Sequence, residues 1–493
     1  MKIHTKNLFE LTDNSYLRTD FKFAYYHDTS FARLKSKWKG SVKLRQIISK
    51  MRNGKDFSKK IYADYETDTC YVRVNNLKPL GEFTVEDIVF LKDEEIEKFS
   101  NLFIDEGDFI ITRSGSVGIA FKFIKRNLPE NIRDKDFMPA GYIIVIKVHN
   151  LFDSERLKYF LYSSITREYF EALACGKSQQ NISQTDLGKW LVPWQILKNI
   201  SVNEIKEKEQ ETSRLKTQIK EPKLIVDEVF SKYFKLDLKR YSDLEKKHIF
   251  RENLINLSKS IQLKSSLKFH HPKYDFILEK VKEFKTVKLN QLLKEPVRRG
   301  VQPEYDENGE ILVIKTININ KNGYIDLTEM EFVSDAFYSK VKRKAGIQRG
   351  DILITSTGEG RGKVSLYDLD EPAIADTHIS IARCEDINIK YLAYFLQSSL
   401  GRNQLSILEQ AIKGTPEIYP REIEELIVIY PFSEIQDKIV KEIEAKLNEQ
   451  RKITEQIEKL KHEIDNLIEK AILENWGKEI KNDKLERIPA ELS

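Results

Sequence analysis

The chain has 493 residues, too many for one compact core, so two or more domains are expected. Apolar residues make up 40% and charged residues 32%, which suits folded domains joined by long polar helices, and no apolar run approaches the roughly 18 residues needed to span a bilayer. Three cysteines, Cys70, Cys175 and Cys384, lie far apart with no Cys-x-x-Cys, which argues against a disulfide framework or a cysteine-based zinc site.

The net charge of +5 hides local bias. Residues 1–60 hold 15 Lys and Arg against 5 Asp and Glu, whereas residues 82–108 hold 10 acidic residues and 2 lysines. A basic surface attracts polyanions, and a solvated charged face is the bland alternative. The N-terminus has no apolar signal core, and with the reduced cysteines this predicts a cytoplasmic protein without a membrane partner.

In chain order the elements recur. FAYYHDTSF (Phe23–Phe31) and VKLRQII (Val42–Ile48) are followed by GDFIITRSGSVG (Gly107–Gly118), a strand running into a glycine loop, and by YIIVIKV (Tyr142–Val148), a buried strand by length. LKYFLYSS (Leu157–Ser164) is an amphipathic helix, then come GKSQQNISQTDL (Gly176–Leu187) and a short strand, WLVPW (Trp190–Trp194). After a helical stretch the same series returns: LKFHHPKYD, VKLNQLL (Val287–Leu293), GDILITSTGEG (Gly350–Gly360), LAYFLQSS (Leu392–Ser399), GTPEIYPREI (Gly414–Ile423) and LIVIYP (Leu426–Pro431). Collinear pairs in one order mean that the protein is built twice.

Each copy is followed by a helical pattern. Ile205, Thr212, Leu215, Ile219, Val226, Val229 and Tyr233 share a heptad frame that Pro222 should kink. In the last helix Ile439, Ile443, Ile453, Ile457, Leu460, Ile464, Leu467 and Ala471 form a longer seam. Narrow seams need a partner, so the two helices are expected to form an intramolecular antiparallel coiled coil. Packing of each helix on its own domain is the alternative.

Catalytic motifs are wanting. GEGRGKVS (Gly358–Ser365) fails the P-loop pattern because Lys363 precedes valine and the glycine spacing is one residue short. SGSVG (Ser114–Gly118) is no nucleophile elbow, and His270–His271 lacks metal-ligand spacing. The expected class is mixed α/β, two similar domains separated by two long helices, with no catalytic residue, no metal and no cofactor of its own. Two similar domains set apart by a rod suit two half-sites on duplex DNA.

On these residues the chain resembles the specificity (S) subunit of Type I restriction–modification systems. The resemblance runs from about Phe21 to Trp476 and rests on the two Gly-Asp-apolar-Ile-Thr strands, the Phe-Leu-x-Ser-Ser helices, the Gly-Lys-Ser-Gln-Gln-Asn-Ile-Ser segment and the terminal helix. It implies target recognition domains at 1–195 and 241–432, a central spacer helix at 196–240, a distal helix at 433–476 and a tail at 477–493. It further implies a non-catalytic subunit that recognises a bipartite, asymmetric duplex and positions methyltransferase and restriction/translocase subunits. S-adenosylmethionine, ATP and Mg²⁺ would belong to those partners. The sequence departs from the family pattern at VPWQILKNISVNEI (Val192–Ile205), where a proline-rich turn is degraded, and in the second copy, where GTPEIYP lacks both glutamines.

Arg and Lys read guanine edges, Asn and Gln adenine edges. DNA-contact candidates in the first domain are Arg113, Ser114, Ser116, Lys177, Gln179, Gln180 and Asn181. In the second they are Ser356, Arg361, Lys363, Lys413 and Thr415, with Arg298 and Arg299 in PVRRGVQPEY, whose proline and glycine predict an irregular loop. Phosphate contact is the alternative role for each. Two other functions stay open: an enzyme with its own catalysis, or a coiled-coil scaffold without DNA binding.

Overall fold

The computed structural model describes residues 41–474 apart from 86, 150–153, 165, 168, 169, 171–180, 248–269, 359, 409, 413 and 414. The described residues form two compact units. One takes those up to Thr217 together with those from Glu455 onward; the other takes Gln218–Thr454. The first division falls where the helix Val202–Lys216 ends, and the second cuts through the helix Ser433–Glu474. None of the described helices is long and apolar enough to cross a membrane.

In the first unit, Ile48–Asn53, Ile143–Val148, Phe109–Thr112 and Ala120–Lys122 lie side by side in that order, all antiparallel. A second sheet runs Asp136–Pro139, Thr69–Val72, Val89–Leu91, Tyr62–Ala63, and its first pair is parallel. The strand Ile143–Val148 explains why an unbroken apolar run was needed. Ile143 and Val145 pack in one cluster with Cys70, Phe121 and Phe137, while Ile144 and Ile146 pack in another with Phe109 and Ile111. Successive side chains face opposite ways, so the part buried on both faces, Ile143–Ile146, must be apolar, and the strand turns polar at exposed Lys147. Tyr142 stands outside it, 46% exposed in a turn.

The second unit repeats this pairing. Arg298–Arg299, Ile379–Ala382, Ile352–Thr355 and Val364–Leu366 stand in the corresponding order, again antiparallel. Ile311–Ile314 pairs in parallel with Ala373–Ala375 and antiparallel with Glu331–Val333. The short ladders Val42–Lys43 with Leu191–Val192 and Thr286–Lys288 with Ile427–Ile429 close the units equivalently. Arg298 and Arg299, expected in an irregular loop, are therefore in a strand.

A further repeat escaped the sequence comparison. Buried Asn76 accepts from the Arg73 amide (2.9 Å) and donates to the Thr84 carbonyl (3.2 Å); buried Asn318 accepts from the Lys315 amide (2.9 Å) and donates to the Asp326 carbonyl (3.1 Å). Each turn carries a glycine at positive φ, Gly81 and Gly323. A Cβ there would lie 2.1 Å from the Tyr162 ring or 2.3 Å from the Gln397 amide, the matching residues of the two Phe-Leu-x-Ser-Ser helices.

The helices among the described residues include α1 Ser154–Tyr162, α2 Val202–Lys216, α3 Pro222–Phe234, α4 Ile389–Gln397 and α5 Ser433–Glu474. Pro222 does not kink one long helix. It is the first residue of a new one, where its missing N–H costs no hydrogen bond. Ile219 lies in the break and is 43% exposed, so its assignment to a buried seam is corrected.

Within the second unit α3 runs antiparallel to the first part of α5: the Lys220 amide meets Gln450 at 2.8 Å and Lys232 meets Glu442 at 2.7 Å. Within the first, Lys208 of α2 meets Glu463 of α5 at 2.6 Å. Val226, Val229 and Ile443 are buried in the second unit's core among Phe230, Tyr391 and Phe395, so packing onto the domain takes them up. Leu215, Ile453 and Ile457 are buried, whereas Leu460, Ile464 and Leu467 are half-buried. Full burial passes instead to Ile468 and Ile472. The apolar line follows the straight-helix period of 3.6 rather than the heptad's 3.5.

The Ser-Ser ends of α1 and α4 show which helix takes which place. In the first unit Asp465 of α5 accepts from the Ser164 amide (3.1 Å), and Glu469 from its hydroxyl. In the second, Asp227 of α3 accepts from the Ser399 amide (2.6 Å) and hydroxyl (2.7 Å). The C-terminal part of α5 thus does for one unit what α3 does for the other.

Candidate nucleic-acid interface

The strand Phe109–Thr112 begins after Gly107, at φ +85°, and over buried Asp108, whose carboxylate takes the Arg52 guanidinium at 3.1 Å. It ends in the loop 113–118. Thr112 ties that loop: its hydroxyl donates to the Ser116 carbonyl and accepts from the Ile119 amide at 2.9 Å, and its carbonyl accepts from the Gly118 amide at 2.8 Å. Gly118 has φ +83°, and a Cβ there would fall 2.4 Å from Phe170 Cβ. Two neighbours fasten the loop's entrance. The Arg113 amide donates to the Tyr142 carbonyl, and the Arg113 carbonyl accepts from Ile182, each at 2.9 Å. Ser114 forms an isolated antiparallel bridge with Asn181.

The second unit repeats this frame bond for bond. The Thr355 hydroxyl donates to the Gly360 carbonyl (2.6 Å) and accepts from the Lys363 amide (2.9 Å). The Ser356 amide donates to the His378 carbonyl (2.8 Å), its carbonyl accepts from Ile418 (2.9 Å), and Thr357 bridges Glu417. Arg113 thus answers to Ser356, Ser114 to Thr357, Tyr142 to His378 and Asn181 to Glu417. The frame is constant and the side chains it presents are not.

Exposed on the first frame are Gly115, Ser116, Tyr142 and Asn181, with Arg113 half-buried beside them. Ser114 is buried, and its hydroxyl has no hydrogen-bond partner. Lys177, Gln179 and Gln180 fall outside the described residues, as does Lys413. On the second frame His378 and Gly358 are exposed, and Thr357 shares a 2.6 Å hydrogen bond with His378 Nδ1. Arg361 is half-buried and donates to the Gly358 carbonyl at 3.0 Å. Thr415 lies in the short strand Thr415–Glu417.

Several candidates are engaged inside the fold. Ser356 is fully buried and shares a 2.7 Å hydrogen bond with Ser380. Arg298 donates to the carbonyls of Arg343 (2.9 Å) and Lys344 (3.2 Å), capping the helix Asp335–Ala345. Lys363 donates to the Ile319 carbonyl at 2.8 Å; burial, and then the charge of Arg402, lower its pKa. Arg299 pairs with Glu417 and donates to the Ile418 carbonyl (2.9 Å), holding the closing segment onto the frame. Tyr142 and His378 are the residues that sequence reasoning missed. Their shared signal is position: each directly precedes the apolar strand that returns beside the glycine loop.

Among the described residues no cluster of His, Cys, Asp and Glu could hold a metal ion. The frames offer hydrogen-bond donors, acceptors and one imidazole on stiff strand ends, an arrangement suited to recognising a polar surface.

No family model matches the chain. It is 21% identical over 417 residues to the Type I restriction enzyme EcoKI specificity subunit of Escherichia coli (strain K12), covering 83% of this chain and 82% of that protein. Among solved structures it is similar to the Type I restriction–modification S subunit from M. genitalium, with 16% identity, a TM-score of 0.39 and coverage of 87% of this chain and 95% of that one. A second, described as underlying complex assembly and conformational transition of the Type I system, has 13% identity, a TM-score of 0.41 and coverage of 88% and 97%.

Proposed function

We propose that this chain is a DNA sequence-specificity subunit of a Type I restriction–modification system. Each unit reads one half of a split duplex target through its glycine-loop frame. One observation carries the proposal: the same hydrogen-bonded frame occurs twice with different side chains at matching positions. A single recognition scaffold carrying two chemistries suits two different half-sites, hence an asymmetric target. The sequence likeness to a curated specificity subunit over most of both chains supports the same reading.

On this proposal the chain carries no catalysis and acts in the cytoplasm. Methyltransferase subunits bring S-adenosylmethionine, restriction subunits bring ATP and Mg²⁺, and α2, α3 and α5 offer the surfaces on which they assemble. Co-expression with a cognate adenine methyltransferase, followed by genome-wide mapping of methylated adenines, tests it. Two short defined blocks around a fixed non-specific gap are expected. An assembled complex that leaves no new methylation sinks the proposal in favour of a scaffold. Methyl transfer by the purified chain alone makes it an enzyme in its own right.

A further inference from the structure

The first unit contains a cleft of about 1070 Å³ that the DNA-reading frame does not use. The turn at Gly81–Phe83, α1 and Lys122 line it, together with one face of α2 and the stretch of α5 that carries Lys461, Ile464 and Ile468. Its charges do not balance: five lysines and Arg126 stand against three glutamates. The carboxylates are already taken. Glu155 holds Lys122 at 2.5 Å and Lys158 at 3.6 Å, Glu209 holds Lys158 at 3.1 Å, and Glu82 holds Lys216 at 2.8 Å and Lys461 at 3.0 Å. Lys206, 48% exposed, reaches Glu155 only at 4.0 Å. Lys461 also meets Glu458, which is not among the lining residues, at 2.8 Å, and even with that fourth carboxylate counted the five lysines and Arg126 leave a surplus of positive charge facing the cleft.

One further observation points to a ligand. The second unit builds the same corner from the same frame and closes it. Leu366 stands where Lys122 does, Ala393 replaces Lys158, Tyr324 replaces Glu82, and the space falls to about 170 Å³. The fold does not require the cleft, nor its lysines.

We infer that the first unit's cleft binds a small polyanion, an oligophosphate chain either free or carried by a nucleotide. Lysines shared among too few carboxylates supply charge-assisted hydrogen bonds, and Phe83 and Phe121 supply an apolar wall.

Calorimetric titration of the full-length chain with sodium tripolyphosphate, ATP and sodium sulfate, at matched ionic strength, tests this. Saturable one-to-one binding of tripolyphosphate is expected, much tighter than sulfate. Lys206→Gln combined with Lys216→Gln should weaken it about tenfold or more. Both lysines are about half exposed, so folding should survive, and thermal unfolding of the variants checks that it does. ATP tighter than tripolyphosphate assigns a nucleotide with its base on the aromatic wall; equal affinity assigns the bare chain. The inference fails if no binding saturates, if sulfate matches tripolyphosphate, or if the folded double variant binds as well as the parent. It fails equally if Arg113→Ala on the glycine loop, rather than the lysine pair, abolishes binding.

Discussion

At the scale of single residues, the glycines of the two frames separate strain from contact. Gly107 and Gly118 both have positive φ, at +85° and +83°, but a Cβ meets nothing within 4 Å at Gly107 and meets Phe170 at 2.4 Å at Gly118. Gly107→Ala should therefore cost only the backbone penalty, about 1–2 kcal/mol. Gly118→Ala adds a clash inside a packed wall and should cost clearly more; urea unfolding of the two variants makes the comparison. Equal losses would mean that the loop shifts freely at Phe170. Asn181 makes a different test. If it reads a base edge, Asn181→Ala should lose about 1–3 kcal/mol of discrimination at one position of one half-site and leave the other half unchanged. A uniform loss across all sequences assigns it to phosphate instead. Competition binding on duplexes randomised one position at a time distinguishes the two.

The residue scale is also where the sequence was least legible. Tyr142 and His378 are placed by backbone bonds from Arg113 and Ser356, and a carbonyl that accepts a hydrogen bond leaves no mark on its side chain. The proline and glycine around Arg298 point to a loop, and the strand it forms, Arg298–Arg299, is only two residues long, too short for any alternation to register against them. The glycine loops, by contrast, could be found. Positive φ at Gly115, Gly118, Gly358 and Gly362 demands glycine, and the demand recurs with the frame.

Helices are the scale at which patterning gave direction but not register. Pro222 was a visible breaker; whether it would kink one helix or begin another depends on where the preceding helix ends, which is fixed by Thr217 closing α2. Pro222→Ala should change stability by less than about 1 kcal/mol, since the position needs no N–H. Ile443→Ala, which empties a fully buried site, should cost about 2–5 kcal/mol, and Ile219→Ala almost nothing. The heptad frame mistook Ile219 for a core residue because a period continues through a break on paper.

Electrostatics ties α2 and α5 to the first unit's turn. Burial raises the pKa of Glu82, but hydrogen bonds from Lys216 and Lys461 outweigh it and hold the carboxylate below its ordinary 4.5. A carboxylate whose folded pKa is depressed contributes stability above its unfolded pKa, and loses that contribution as pH falls through the lowered folded value. Glu82→Gln should therefore lower the melting temperature near neutral pH, and the gap from the parent should close in acid below about pH 4. Melting curves from pH 3 to 7 read this directly. A gap that persists unchanged at the acid end would assign the glutamate's effect to packing.

For the whole molecule, the consequential fact is that sequence order and structural unit do not coincide. The series of repeated motifs divides the chain into consecutive blocks, and that division was legible because each block carries its own glycine strand and Phe-Leu-x-Ser-Ser helix. The units instead exchange helices: α3, which follows the first block, serves the second unit, and the end of α5, which follows the second block, serves the first. Nothing local in α5 announces this, since an amphipathic helix does not name its partner. Ending the chain after Thr454 should therefore leave the second unit's core complete while stripping Ile468 and Ile472 from the first unit's core and the Asp465 and Glu469 acceptors from Ser164. Hydrogen exchange on the truncated chain should show lost protection across Ser154–Tyr162 and Ile143–Val148, with Ile389–Gln397 and Ile379–Ala382 still protected. If loss fell on the second unit instead, each block would hold its own following helix, and the exchange of helices would be wrong. The order matters for the proposed function. A specificity subunit whose first recognition unit depends on the end of α5 cannot present a correctly folded pair of DNA-reading frames until that helix has been made.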